Sequence, residues 1–179
     1  MIAAVQAGLR LTDRSIYMAS DTLIVYYSWS GNSEKLAKNL NEAIFSSDIF
    51  KIRTKRKYST SFFVAAFQAG REKRKKTRPE IIETVSGKKL SKYERIILIY
   101  PIWDGSCPMA VLTFLESIKT EGLDIFPIST SSSVTLGSSL RDIRGSAPEA
   151  NIAEGLAVPG KVADTQKAVN TVFHYLGLR

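Results

Sequence analysis

Two short stretches of the chain are almost continuously apolar and rich in β-branched or aromatic residues. They are Thr22 to Tyr27 and Arg95 to Tyr100. This pattern indicates strands buried on both faces, as in parallel sheets that helices cover on each side. Weaker strand candidates are Ile49 to Ile52, Ile125 to Ile128 and Ile152 to Val158. We therefore predict a parallel sheet of five strands.

Between the strand candidates, apolar residues recur at the spacing of an amphipathic helix. The first set shares one helical face and consists of Leu36, Ala37, Leu40, Ala43 and Ile44. Asn32 or Ser33 can cap this helix at its start. Strands that alternate with helices of this length predict right-handed βαβ crossovers and a single twisted sheet.

Two further helices are predicted later in the chain. The stretch from Met109 to Ile118 has helical spacing, and Pro108 suits a first helical turn because its missing N–H is not needed there. A last helix runs from Ala168 to Leu176, and Gly177 can end it. The segment from Tyr58 to Thr84 is ambiguous, since its apolar residues suggest a helix and its later charges suggest solvent.

The length of 179 residues predicts one domain, which we place at residues 21–179 after an N-terminal extension of residues 1–20. The extension lacks the order of charged and apolar residues of a signal peptide, and no membrane span is expected. Cys107 is the single cysteine, so no intrachain disulfide or cysteine-based zinc site can form, and no metal is expected. A reduced cytoplasm is the expected location.

The formal net charge of +8 is concentrated in one part of the chain. Eleven of the 25 Lys and Arg residues lie between Lys51 and Arg78. Such a segment attracts nucleic acid, an anionic membrane or an acidic protein, or is simply a solvated surface. Nucleic acid is disfavoured, because the run lacks interleaved aromatic residues on which bases could stack.

The loop from Ser28 to Ser33 follows the first strand and leads directly into the first helix. Its hydroxyl groups, Gly31 and the N–H groups of the helix start can form a nest for a phosphate. The alternative is a turn that only caps the helix. The loop has neither the G-x-x-x-x-G-K-[ST] pattern of nucleotide hydrolases nor the G-x-G-x-x-G pattern of dinucleotide folds, so ATP and NAD in those binding modes are disfavoured.

Two other loops are predicted at the same edge, because ligands of open α/β sheets bind outside the carboxyl ends of the strands. In the loop from Tyr100 to Pro108, the Trp103 ring can stack on a flat aromatic ligand or pack on the core. The loop from Ser129 to Ser133, which precedes Leu136 to Ser139, has small side chains that let a ligand approach, or it is a flexible turn. Cys107, beside a helix start, is expected to be inert.

The three loops, in this order and spacing, resemble the phosphate loop and the two ring-binding loops of flavodoxins, in particular a short-chain bacterial group. The resemblance covers residues 22–178 and implies a flavodoxin-like three-layer α/β sandwich with strand order 2-1-3-4-5 and helices on both faces. It also implies non-covalently bound FMN. The phosphate would be held by Ser28, Ser30, Gly31, Asn32 and Ser33. The ring would be lined by Pro101, Ile102, Trp103 and Asp104, with Ser131, Ser132 and Ser133 on its far side.

The resemblance implies an electron carrier that shuttles electrons between redox partner proteins, rather than an enzyme with its own substrate. We expect the basic segment from Lys51 to Arg78 to dock an acidic partner. Two alternatives stay open: an FMN-dependent NAD(P)H:quinone-type reductase, and a flavin-free binding module on the same fold. A serine hydrolase is disfavoured, because no G-x-S-x-G motif is present and His174 is the only histidine.

Overall fold

The fold is a parallel sheet between two layers of helices, here in a computed structural model that describes residues 21–45 and 47–178. The extension predicted for residues 1–20 lies outside the described residues. The strands of the described chain are β1 (Thr22–Tyr26), β2 (Asp48–Lys51), β3 (Arg95–Pro101), β4 (Asp124–Ser131), β5 (Asn151–Ile152) and β6 (Leu156–Pro159). They pair in the order β2-β1-β3-β4-β5, with β6 also on β4, and every pairing between them is parallel. The predicted strand order is confirmed.

The fifth position of the sheet holds two short strands where one strand from Ile152 to Val158 was predicted. Ile125 pairs with Ile152, whereas Ile128 pairs with Leu156, so the outer chain has one extra residue between the two registers. Pro127 lies opposite this break and has no N–H to donate to a neighbouring strand. The single strand is therefore interrupted where its partner strand lacks a donor.

Six helices surround the sheet in the described residues, together with a short 3₁₀ helix at Gly160–Val162. They are α1 (Asn32–Ala43), α2 (Phe62–Arg74), α3 (Gly87–Leu90), α4 (Met109–Glu116), α5 (Ser139–Ser146) and α6 (Gln166–Leu176). The three helices predicted with defined positions are present, and Gly177 ends the last one at φ 69°. The ambiguous segment contains α2, and α5 was not predicted because it is short and rich in serine.

The two faces of the sheet form separate hydrophobic cores, since successive side chains of a strand point to opposite faces. Ile24 and Ile97 pack with α1 and α6 on one face. Val25 and Leu98 pack with α4 and α5 on the other face. Both cores are covered by helices, which explains why the central strands are apolar without alternation.

The starts of two helices differ from prediction. The N-cap of α1 is Gly31, and no N-cap side chain accepts a hydrogen bond from its first turn, so neither Asn32 nor Ser33 is the cap. Pro108 is the N-cap of α4 and stands just before the first helical residue. The Gly31 cap matters most, because no capping side chain occupies the N–H groups of the first turn of α1, next to the carboxyl end of β1.

Candidate functional site

The first loop of the candidate site is a tight turn between β1 and α1. Gly31 has φ 96°, a left-handed conformation that glycine adopts without steric cost. Its N–H donates to Ser28 Oγ over 3.1 Å, and its carbonyl accepts from Lys35 N–H at the start of the helix. The first turn of α1 therefore keeps the N–H groups and the positive end of the helix dipole that can bind an anion.

Ser33 joins this loop to the end of β4. Its side chain is buried, and its Oγ lies 2.7 Å from Oγ1 of Thr130, with either hydroxyl able to donate. A Cβ added to Gly160, which directly follows β6, would lie 2.7 Å from Asn32 Nδ2, so the chain passes tightly beside the helix start. Ser33 thus offers a ligand its backbone N–H more readily than its hydroxyl. Ser30 is exposed, and Ser28 is half-buried.

The second loop contains a hairpin turn that sequence periodicity did not reveal. The backbone N–H of Trp103 donates to the Ser106 carbonyl over 2.7 Å, and the backbone N–H of Ser106 donates to the Trp103 carbonyl over 3.0 Å. Between them, Asp104 and Gly105 have φ of 48° and 73°. Positive φ at both central positions identifies a type I′ turn, for which Asp-Gly is a favoured pair.

Trp103 is half-buried within a cluster of three aromatic rings. Its ring makes edge contacts with Tyr27, at 5.5 Å between centroids and 89° between planes, and with Tyr58, at 5.2 Å and 70°. Tyr58 is itself held by a hydrogen bond of 2.5 Å from its hydroxyl to Glu72 Oε2. The indole is therefore fixed by its neighbours while part of it remains accessible.

The third loop follows β4 and packs against the second. Ser138 N–H donates to the Gly105 carbonyl over 2.8 Å. Gly137 comes so near that a Cβ there would lie 2.2 Å from the same carbonyl oxygen. Ser131 Oγ and Ser133 Oγ lie 3.4 Å apart, and Ser132 and Ser133 are exposed. Val134, at the tip of this loop, has φ 46°, which is rare for a β-branched residue.

These contacts bring the three predicted loops together at one edge of the sheet. Thr130 connects the third loop to the first, and Gly105 connects it to the second. Pro101 and Ile102 are half-buried at the end of β3. Sequence reasoning missed a set of supporting residues that have no motif and meet the loops only in three dimensions. They are Tyr27, Tyr58, Glu72, Lys73, Gly160 and Asp142, whose carboxylate accepts hydrogen bonds from Ser106 and Ser138.

The titratable groups around the site favour uncharged side chains. Burial raises the pKa of the Tyr27 hydroxyl far above its usual value, with a smaller contribution from Glu72. Burial likewise raises the pKa of Tyr58, and its bond to Glu72 adds to the shift. Burial raises the pKa of the Cys107 thiol to about 12, in keeping with the inert role predicted for it. Both tyrosine hydroxyls therefore keep their protons at physiological pH, and that of Tyr58 donates to Glu72.

A flavodoxin family model matches residues 21–173, which is most of the chain. The chain belongs to the flavodoxin family. Comparison with curated protein sequences gave no match.

In the described residues, no group of three or more His, Cys, Asp or Glu could hold a metal ion. Nor does any helix from residue 21 onward, within the described ranges, have the length and apolar character needed to cross a membrane.

Solved structures with the same fold include several flavoproteins. A candidate flavoprotein from Bacteroides uniformis is 24% identical, with a TM-score of 0.75 over 87% of this chain and 99% of that one. A flavoprotein from Lactobacillus acidophilus, solved in complex with FMN, is 22% identical, with a TM-score of 0.66 over 82% and 97%. An NADH:FMN oxidoreductase in its apo form is 15% identical, with a TM-score of 0.53 over 89% and 91%. At these identities the likeness establishes the fold.

Proposed function

We propose that this protein binds FMN non-covalently at the carboxyl edge of its sheet and carries electrons between redox partner proteins in the cytoplasm. The observation that carries the proposal is the convergence of the three loops through the Ser33–Thr130 and Gly105–Ser138 contacts. Membership of the flavodoxin family and the FMN complex of the Lactobacillus acidophilus flavoprotein support it.

The residues of the edge fit the two chemically different ends of FMN. In this proposal the phosphate is held by Ser28, Ser30, Gly31, Asn32 and Ser33. Hydroxyl and N–H donors at the positive end of a helix suit a phosphate without a lysine. The turn after Gly31 has no capping side chain in the described chain that would compete for those donors.

The flat ring of FMN would lie against the second and third loops. Pro101, Ile102, Trp103 and Asp104 would line one side, and Ser131 to Ser133 the other. Trp103 is suited to this because its edge contacts with Tyr27 and Tyr58 fix the indole before a ligand arrives, which reduces the entropy lost on binding. Bound FMN supplies the redox chemistry, and the chain supplies position and electrostatic environment.

The positive charge of the chain should shift the redox potential of the cofactor. Typical flavodoxins are acidic, whereas this chain has a formal net charge of +8. Positive charge stabilises the anionic, fully reduced flavin, so we expect the second one-electron reduction at a less negative potential than in an acidic flavodoxin. A potentiometric titration measures this potential, and a very low second value would contradict the expectation.

The test of the proposal is the visible absorbance spectrum of the purified protein after desalting. If the protein is colourless, FMN is added and the quenching of its fluorescence is followed. We expect bound flavin in the wild type and an affinity about tenfold lower in Trp103→Ala. Phe45→Ala is the matched control, since Phe45 is an exposed aromatic residue (78%) in the loop before β2, at the opposite edge of the sheet.

Two outcomes would change the assignment. A protein that leaves added FMN fluorescence unquenched rejects FMN and favours a flavin-free binding module. A protein that binds FMN and also turns over NAD(P)H with a quinone is a reductase. Slow or absent NAD(P)H turnover, together with rapid electron exchange with a second redox protein, supports the carrier.

A further inference from the structure

Six of the 11 basic residues between Lys51 and Arg78 already have partners within the chain. Five of them pair with carboxylates: Lys51 with Glu34, Arg53 with Glu83, Lys55 with Glu80, Arg56 with Glu72 and Arg78 with Glu116. Lys73 donates to the backbone carbonyl of Asp104. Carboxylates therefore compensate five of the 11 positive charges locally, and the rest of the segment is left to attract a partner.

The remaining cations are clustered. No ion pair within the described residues joins Lys57, Arg71, Arg74, Lys75 or Lys76 to an acidic side chain. Four of these five lie in the last turn of α2 or directly after it. Apart from Lys57, the uncompensated positive charge thus lies at one end of α2 instead of being spread over residues 51–78.

The same helix exposes two phenylalanine side chains in line with this charge. Phe63 is 82% exposed and Phe67 is 65% exposed, while Ala65 and Ala69 hold the other face of α2 against the domain. Residues 63, 67, 71 and 74 are spaced by four, four and three, so they lie on one face of the helix. We call Phe63, Phe67, Arg71 and Arg74 the α2 stripe. Its first half is apolar, and its second half is basic.

The α2 stripe borders the candidate FMN site. A Cβ added to Gly70, in the middle of α2, would lie 3.6 Å from the carboxylate of Asp104 and 3.4 Å from the guanidinium of Arg74. Lys73 reaches the Asp104 carbonyl from the same helix. The Asp104–Gly105 turn is the rim of the second loop, so a protein seated on the α2 stripe would contact that rim as well.

We propose that the α2 stripe is the docking surface for an acidic electron-transfer protein. This deepens the proposed function, on which it rests for the nature of the partner. Exposed aromatic residues beside arginines are the composition of binding hot spots in protein interfaces, and unpaired cations steer an acidic partner toward them. Docking there places the partner next to the loop that would line the flavin ring. A short distance between the partner's redox centre and the flavin ring would favour electron transfer.

The experiment uses a strongly acidic plant-type ferredoxin as the probe. The isotope-labelled full chain is titrated with ferredoxin at low salt, both with and without FMN, and the shifts of backbone amide signals in NMR spectra locate the contact. We expect shifts in α2 and in the Asp104–Gly105 turn, and an affinity that falls as salt is added. Because amide shifts do not require FMN, docking is measured even if the cofactor assignment fails.

Variants then separate local docking from overall charge. Arg71→Glu with Arg74→Glu should weaken ferredoxin binding by at least about tenfold, because two attractive pairs become repulsive. Lys88→Glu with Lys89→Glu is the matched control, since it changes the net charge equally on α3, at the opposite edge of the sheet. With the variants compared at about 0.15 M salt, it should weaken binding by no more than about threefold, because charges beyond a Debye length of roughly 8 Å are screened there.

The apolar half is tested in the same way. Phe67→Ser should weaken binding by roughly tenfold, as truncation of an interface aromatic residue does, and Phe45→Ser is its control because Phe45 is exposed in the loop before β2. Equal losses in the stripe and control variants would overturn the proposal, and so would amide shifts confined to other surfaces.

A membrane is the alternative occupant of the α2 stripe. If phosphatidylglycerol vesicles shift the α2 amide signals while ferredoxin does not, the stripe binds a membrane and the docking proposal is overturned. FMN binding by every variant is measured separately by absorbance. Variants that retain FMN but lose ferredoxin binding support the docking surface, whereas a chain that binds ferredoxin but never FMN contradicts the proposed function alone.

Discussion

Gly137 packs so closely against the Asp104–Gly105 turn that the candidate site depends on the absence of a side chain at position 137. A Cβ in Gly137→Ala would lie 2.2 Å from the Gly105 carbonyl oxygen and 2.8 Å from its carbon. Real Cβ atoms do not approach a carbonyl so closely, so the two loops must separate. Separation removes the hydrogen bonds from Ser138 N–H and Ser138 Oγ to the Gly105 carbonyl, at 2.8 and 3.2 Å.

The expected loss of stability has two parts. Alanine at φ 53° costs about 1 kcal/mol relative to glycine. The two lost hydrogen bonds contribute about 1 kcal/mol each. The free energy of unfolding should therefore fall by about 3 kcal/mol in Gly137→Ala, which for a domain of this size lowers Tm by roughly 6–12 °C.

Gly122→Ala is the control for the backbone part alone. Gly122 has φ 75°, and a Cβ there would meet no atom within 4 Å, so only the conformational cost of about 1 kcal/mol applies. Urea unfolding of both FMN-free variants measures the free energy of unfolding, and quenching of FMN fluorescence measures affinity. We expect Gly137→Ala alone to weaken FMN binding, by about tenfold. Equal stabilities of the two variants would refute the steric reasoning, and an unchanged FMN affinity would remove the turn from the site.

Three other perturbations have defined outcomes. Cys107 should not react with a thiol reagent at pH 8 until the protein is unfolded, because burial raises the pKa of its thiol to about 12; rapid labelling of the native protein would contradict this. Tyr58→Phe removes the hydroxyl that donates to buried Glu72, so it should lower the free energy of unfolding by about 1–3 kcal/mol in urea titrations. An unchanged free energy would contradict this expectation, because it would mean that water replaces the hydroxyl. The pKa of Glu116 is held below its usual value chiefly by hydrogen bonds from Arg78, so the stability that this pair contributes is complete above the unfolded pKa of roughly 4.3 and is lost as pH falls through the lower folded pKa. Unfolding curves of wild type and Arg78→Gln should differ at pH 7 and converge in acid, and a constant difference would argue against the pair.

Some features of the protein are local properties that the sequence determines. The strands β1 and β3 are apolar at every position because both faces are covered, and this pattern is visible without coordinates. The order of strands and helices then constrains the topology, since parallel strands need crossover connections of one hand. The position of the three loops at one edge follows from the same rule, and so their residues could be named in advance.

Other features depend on contacts between residues distant in the chain. Gly155, with φ 84°, marks the break in the outer strand locally, but the position of this break opposite Pro127 of the neighbouring strand is set by the fold. Tyr58 lies in an ambiguous segment, yet it holds Trp103 from the side. The basic run from Lys51 to Arg78 looks continuous in sequence, and only the positions of its carboxylate partners reveal which charges remain.

The sequence by itself determined the fold, the sheet edge and the loops, because hydrophobic period and turn chemistry are encoded over a few neighbouring residues. Only the tertiary structure decided how the loops lock together at Ser33, Gly105 and Gly137, and which side chains support Trp103. Those relations are set by packing and by hydrogen bonds across 30 to 100 residues of chain, such as the bond between Ser33 and Thr130. The uncompensated charge on α2 has the same origin, since an ion pair needs two side chains brought together by the fold.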